Sequence, residues 1–111
     1  MKLTKKTAAA LARQEIGSAS SMKAIGQDEK RYYIFAMGRF RAEIINHPEN
    51  ATFIIMVIYD LDSDCSIRKI FNRETLAYNA HETERINRDE LIEEAYTIPP
   101  HILREIIENM E

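Results

Sequence analysis

The stretch Phe53 to Tyr59, FIIMVIY, constrains the fold more than any other part of the chain. It is apolar and rich in β-branched residues on both of its alternating sides, whereas a strand with one wet face alternates apolar with polar. It is far shorter than the ~18–20 residues that cross a bilayer, so it reads as a strand rather than a membrane span. A strand apolar on both sides belongs inside a sheet with a cover over each face. In a chain of 111 residues, sheet and covers together make one domain, residues 1–111.

The segments flanking this strand follow its logic. Before it, the stretch 31–46 opens with the apolar YYIFAM and alternates from Gly38 onward. Arg39, Arg41 and Glu43 fall on one side; Phe40, Ala42 and Ile44 fall on the other. Gly38 is expected to bend or bulge one long strand, and the charged side to be solvated. NHPEN is a turn, since Pro48 cannot continue a ladder. After the central strand, SIRKIF returns as its partner. Further upstream, MKAI suits a short strand and GQDEK a turn.

Helical spacing governs the two ends. Thr4 is placed to cap a first helix whose apolar stripe is Ala8, Leu11, Ala12, Ile16 and Ala19, ending near Gly17 and SASS. NRETLAYNAHETER reads as a short helix followed by a loop. Asn87 and Glu90 then form a capping box ahead of LIEEAY. Pro99 and Pro100 start a last amphipathic helix. Its apolar stripe is Ile102, Leu103, Ile106, Ile107 and Met110; its polar stripe is Arg104, Glu105, Glu108 and Asn109. The expected class is α+β: an N-terminal helix, a three- to four-stranded antiparallel sheet, then two or three C-terminal helices.

Composition narrows function mainly by exclusion. Apolar residues at 45% and charged residues at 30% place the chain among globular proteins rather than disordered ones. Cys65 is the single cysteine, which excludes an internal disulfide and a thiolate zinc site. With no leader-like or membrane-spanning pattern, the expected location is cytoplasmic. The net charge of -3 is unevenly spread, with residues 1–50 at +4 and residues 51–111 at -7.

One stretch resembles chemistry: YDLDSDCSIRKIF, with Asp60, Asp62 and Asp64 at alternate positions. Counted as a calcium loop from Asp60, the first, third and fifth ligands fit, and Ile67 fits the eighth position. Cys65 then stands where glycine makes the turn, and Phe71 where a bidentate glutamate closes the cage. A magnesium site would need two of these aspartates curled together with a carboxylate such as Glu43, and a lysine such as Lys69 to orient water. The plainer reading makes DSDC the tip of a β-hairpin, its charge offset by Arg68 and Lys69 on the returning strand.

Other constellations are weaker. His47, His81 and His101 are scattered and lack zinc-protease spacing. Gly17, Gly26 and Gly38 are too far apart for a phosphate loop. Neither Ser20, Ser21 nor Cys65 sits in a nucleophile elbow. Lys30, Arg31, Arg39 and Arg41 lie among Tyr32, Tyr33, Phe35 and Phe40, the mixture that a nucleic-acid-binding sheet uses.

The leading expectation is a non-catalytic protein-binding module without cofactor or resident metal. It would dock an acidic surface, built from Asp60, Asp62, Asp64, Glu93, Glu94, Glu105 and Glu108, on a basic macromolecular partner. That partner could carry a nucleic-acid-binding cleft, as the targets of phage and mobile-element inhibitors do. Two alternatives stay open: a nucleic-acid-binding domain using Lys30, Arg31, Arg39 and Arg41, and a metal-dependent protein using the three aspartates. Burial of the apolar faces across a homodimer is open as well.

Overall fold

The computed structural model of the protein describes residues 3–17, 22–27, 33–88 and 98–110. Helix α1 (Lys5–Ile16) precedes five strands: β1 (Met22–Gln27), β2 (Tyr33–Met37), β3 (Phe40–Asn46), β4 (Phe53–Asp60) and β5 (Cys65–Asn72). Helices α2 (Ala80–Asn87) and α3 (Pro100–Met110) follow. The strands form one antiparallel meander in the order β1-β2-β3-β4-β5, so every ladder joins neighbours in sequence. The α+β arrangement holds, with one strand more than the sequence suggested.

The extra strand comes from Gly38. Rather than bending a long strand, it takes a φ of 61° in a two-residue turn that pairs Met37 with Phe40. Arg39 does not share the positive φ, which matches the II′ turn that favours glycine first and follows the natural twist of a hairpin. Sequence alternation is the same on either side of a bend or a tight turn, which is why the two could not be told apart. A bulge does occur, in β1 between Ala24 and Gly26.

Alternation along β4 sorts the core into two layers. Ile54 and Met56 face α1 together with Phe35, Ala42, Ile44 and Phe71, against Ala8, Leu11 and Ala12 of the helix. Ile55, Val57 and Tyr59 face the other way with Ile34, Ile45 and Ile70, beneath Ile86 of α2, Ile98 and Leu103 of α3. Both sides of β4 are therefore covered, as its composition requires. Each fully buried Ile or Met there contributes ~1.5–3 kcal/mol.

Local sequence explains the helix ends. The Thr4 hydroxyl accepts a hydrogen bond from the Thr7 amide at 3.2 Å, and Gly17, at a φ of 104°, closes α1 by donating to the Arg13 carbonyl. Alanines at the contact let α1 lie close over β2 and β3. Asn79 caps α2, its side chain accepting from the Glu82 amide at 2.9 Å, and Asn87 is the last residue of that helix. The region read as helix then loop runs the other way, with a turn over Arg73–Thr75 before α2. The proposed box partner Glu90 and the segment LIEEAY lie outside the described residues, as do Ala19 and most of GQDEK.

In α3, Leu103 is fully buried as the stripe predicts, but Ile102 is 40% exposed. The side chains of Ile106, Ile107, Asn109 and Met110 lie outside the described set. No helix among the described residues is long and apolar enough to cross a membrane.

Candidate functional site

Three polar groupings stand out, one at each end of the sheet and one inside it. The interior grouping is the least expected. Glu43 and Tyr59 project from adjacent strands onto the face beneath α2 and α3, diagonal neighbours in a register that sets Arg41 opposite Tyr59 and Glu43 opposite Val57. The Tyr59 hydroxyl donates to Glu43 Oε2 at 2.8 Å and also lies against the Ile98 carbonyl; the Ile98 amide donates to the same Oε2 at 3.1 Å. One residue of backbone, just ahead of the two prolines, is thus gripped on both its amide and its carbonyl. Burial, then the charge and hydrogen bond of Glu43, push the Tyr59 hydroxyl well above the ordinary tyrosine pKa, partly opposed by Arg68 and by the Ile98 carbonyl.

This corrects the view of the Arg39–Arg41–Glu43 side as solvated. Glu43 is 0% exposed and Arg41 is half-buried, because helices cover that face. Alternation tells which residues share a side; it does not tell whether another part of the chain lies over that side. With both Glu43 and Tyr59 sealed from solvent, their role is to fix the chain entering α3. Nor can Glu43 join the aspartates as a magnesium ligand. By register it lies on the face opposite to that of Asp60, which continues the Ile54–Met56–Ile58 side of β4.

The second grouping is the acidic tip. Leu61–Asp64 makes the turn between β4 and β5, with Asp60 opposite Cys65, so the hairpin reading holds. Asp60 Oδ1 accepts the Asp62 amide at 3.1 Å, and Asp64 takes a φ of 55°, which aspartate tolerates better than most residues. The offsetting cations differ from those expected. Arg39, from the β2–β3 turn, approaches Asp60 at 3.6 Å and Asp62 at 4.0 Å; Arg104 of α3 pairs with Asp64 at 2.8 Å and donates to the Leu61 carbonyl. Lys69 instead crosses to Glu15 of α1 at 3.1 Å. Among the described residues, no group of three or more His, Cys, Asp or Glu could hold a metal ion.

Of the basic residues named for nucleic acid, the two described ones, Arg39 and Arg41, are engaged within the chain. Arg39 is stacked over Phe40 at 4.9 Å and engaged by the tip, while Arg41 donates to the Gly38 and Phe40 carbonyls. Phe35 is buried against α1, leaving it no face for a base to stack on. Lys30, Arg31, Tyr32, Glu93 and Glu94 lie outside the described residues; Glu105 and Glu108 are exposed on α3.

The third grouping, at the opposite end of the sheet, was not read from the sequence. His47 is 5% exposed, and its Nδ1 accepts the amides of Glu49 at 3.1 Å and Asn50 at 3.0 Å, holding the β3–β4 turn. Burial and the nearby Arg85 guanidinium lower its pKa, against the weaker pull of Glu82 and Glu49. Beside it, Arg73 is 6% exposed. It donates from Nε to the Ala51 carbonyl at 2.8 Å, and from Nη2 to Asn46 Oδ1 at 2.6 Å and the Phe53 carbonyl at 3.3 Å. A lone arginine after a strand carries no signal of burial, since its acceptors come from a turn over twenty residues earlier. No protein-family model, curated protein or solved structure matches the chain.

Proposed function

We propose that the protein is a non-catalytic binding module that docks the acidic end of its sheet on a basic macromolecular partner. The observation that carries this reading is the contact between Arg104 and the hairpin tip, at 2.8 Å to Asp64. It joins parts of the chain that are forty residues apart into one surface. Glu108 follows Arg104 by one helical turn on the same stripe, and Glu105 adjoins it. We read the docking surface as Asp60, Asp62 and Asp64 with Glu105 and Glu108 of α3, offset in part by Arg39 and Arg104. Asp62 and Asp64 keep 72% and 63% of their side chains exposed, so their charge stays available to a partner. Complementary charge of this kind steers encounter and selects partners more than it adds affinity. An inhibitor or accessory factor of the phage or mobile-element type, filling a nucleic-acid-binding cleft with carboxylates, is the concrete form we favour.

Affinity capture from lysate at low and moderate salt, read by mass spectrometry, tests the reading. A specific protein should be retained by the native chain and lost from the triple variant Asp62→Lys, Glu105→Lys, Glu108→Lys. Capture of the same proteins by both chains, or of none, counts against it. Retention of RNA or DNA, abolished by Arg39→Ala with Arg41→Ala, would favour the nucleic-acid reading instead.

A further inference from the structure

At the end of the sheet away from the acidic tip, we infer a binding site for a small oxyanion, the phosphate or carboxylate group of a metabolite-sized molecule, centred on Arg73. Ala51, Thr52, Asn72, Arg73 and Glu74 enclose an open recess of about 370 Å³. That volume lies within the ~300–1,000 Å³ range of small-molecule sites.

The charge balance of Arg73 carries the argument. Its side-chain hydrogen bonds all go to neutral oxygens, from Ala51, Asn46 and Phe53. Its backbone amide likewise donates to the Thr52 carbonyl at 2.9 Å. The remaining nitrogen, Nη1, is buried with no hydrogen-bond partner, and among the described residues no carboxylate lies within ion-pair distance of the group. Burial disfavours the charge, yet an arginine in a protein stays protonated. An arginine kept this far from water normally has an anionic partner, because an unpaired buried charge is strongly unfavourable. Among the described arginines, Arg39, Arg85, Arg88 and Arg104 each meet a carboxylate, whereas the half-buried Arg41, like Arg73, donates to backbone carbonyls.

With Nε and Nη2 engaged, the two N–H bonds of Nη1 are those left for an oxygen of a phosphate or carboxylate. The three existing hydrogen bonds hold the guanidinium in place before a ligand arrives, so little side-chain entropy remains to be lost. Thr52 adds a hydroxyl to the wall, and the exposed Glu74 adds a carboxylate at the rim. Glu74 opposes an anion, which gives the site a distinctive signature: neutralising it should strengthen binding.

Titration of the 15N-labelled chain with inorganic phosphate and, separately, with acetate tests this, at ionic strength held constant with chloride. Saturable shifts confined to the amides of Thr52, Arg73 and Glu74 are expected from at least one of the two. Phosphate alone would indicate a phosphate ester; acetate alone, a carboxylate. Glu74→Gln, an exposed and structurally mild change, should tighten binding several-fold, and Arg73→Lys should weaken it by at least as much. Shifts spread over surface lysines and arginines, the absence of saturation with either anion, or an affinity indifferent to Glu74→Gln would overturn the assignment. The Glu74 arm stands even if Arg73→Lys fails to fold.

Discussion

Under α1 the sheet meets alanine and leucine, with Ala8, Leu11 and Ala12 laid against Ala42, Ile44 and Met56. Under Ile98 and α3 the same sheet buries a carboxylate, and the covering chain is held by a hydrogen bond from the Ile98 amide to Glu43 and one from the Tyr59 hydroxyl to the Ile98 carbonyl. The first face depends on volume: small side chains let the helix approach, and any increase in size is felt. The second depends on polar complementarity, where size matters less than the presence of every donor and acceptor. A five-stranded sheet can therefore be closed by different physics on its two sides.

Substitutions should separate the two modes. The largest effect is expected for Glu43→Ala, which leaves the Ile98 amide without its acceptor and the Tyr59 hydroxyl with the Ile98 carbonyl alone, and should lower stability by ~3–4 kcal/mol in urea denaturation. A loss below ~1 kcal/mol would erase the contrast, since deletion of one partner in a sealed network cannot be that mild. On the other face, Ala12→Leu adds volume where there is no room and should lose ~1–3 kcal/mol, whereas a leucine at exposed Lys5 should be nearly neutral. Tyr59→Phe should lose ~1–2 kcal/mol near neutral pH.

Two pH effects sharpen the polar side further. The raised Tyr59 pKa means that the folded chain keeps this proton when the unfolded chain releases it near 10. Stability from this group is whole below that pH and falls above it, by up to ~1.4 kcal/mol per pH unit. Tyr59→Phe should flatten the alkaline limb of a stability–pH curve. His47 has the opposite sign and the smallest effect. Its folded pKa lies below the ordinary 6.5, so its contribution is whole above 6.5 and declines as the unfolded chain takes up the proton at lower pH. Protonated Nδ1 could no longer accept the Glu49 and Asn50 amides, and His47→Asn should flatten that acid limb.

Local signals in the sequence were reliable where local chemistry decides the outcome. Thr4 caps because its hydroxyl reaches an amide three residues on, and FIIMVIY announces two covered faces by its composition. DSDC announces a turn for the same kind of reason. The parts that stayed hidden depend on residues distant in the chain. Glu43 looks like any solvated strand charge until Ile98 is laid over it, and Arg39 and Arg104 come to the aspartates from separate elements. FRAEIIN did hold a hint: a lone acid between Ala42 and Ile44, with a tyrosine on the partner strand able to reach it. For Arg73 nothing in the sequence serves as a hint, because its setting is made by the β3–β4 turn.

The meander also bears on how fast the protein assembles and comes apart. Each ladder closes a short loop, so the sheet can zip up hairpin by hairpin with little entropic delay. The grip on Ile98 spans 55 residues from Glu43 and can close only after β3 and β4 are paired. Its free energy should accordingly be absent from the folding transition state. In stopped-flow measurements, Glu43→Ala should then accelerate unfolding and leave refolding nearly unchanged. The buried carboxylate would act less as a cornerstone of the sheet than as a latch that sets how long the finished molecule stays shut.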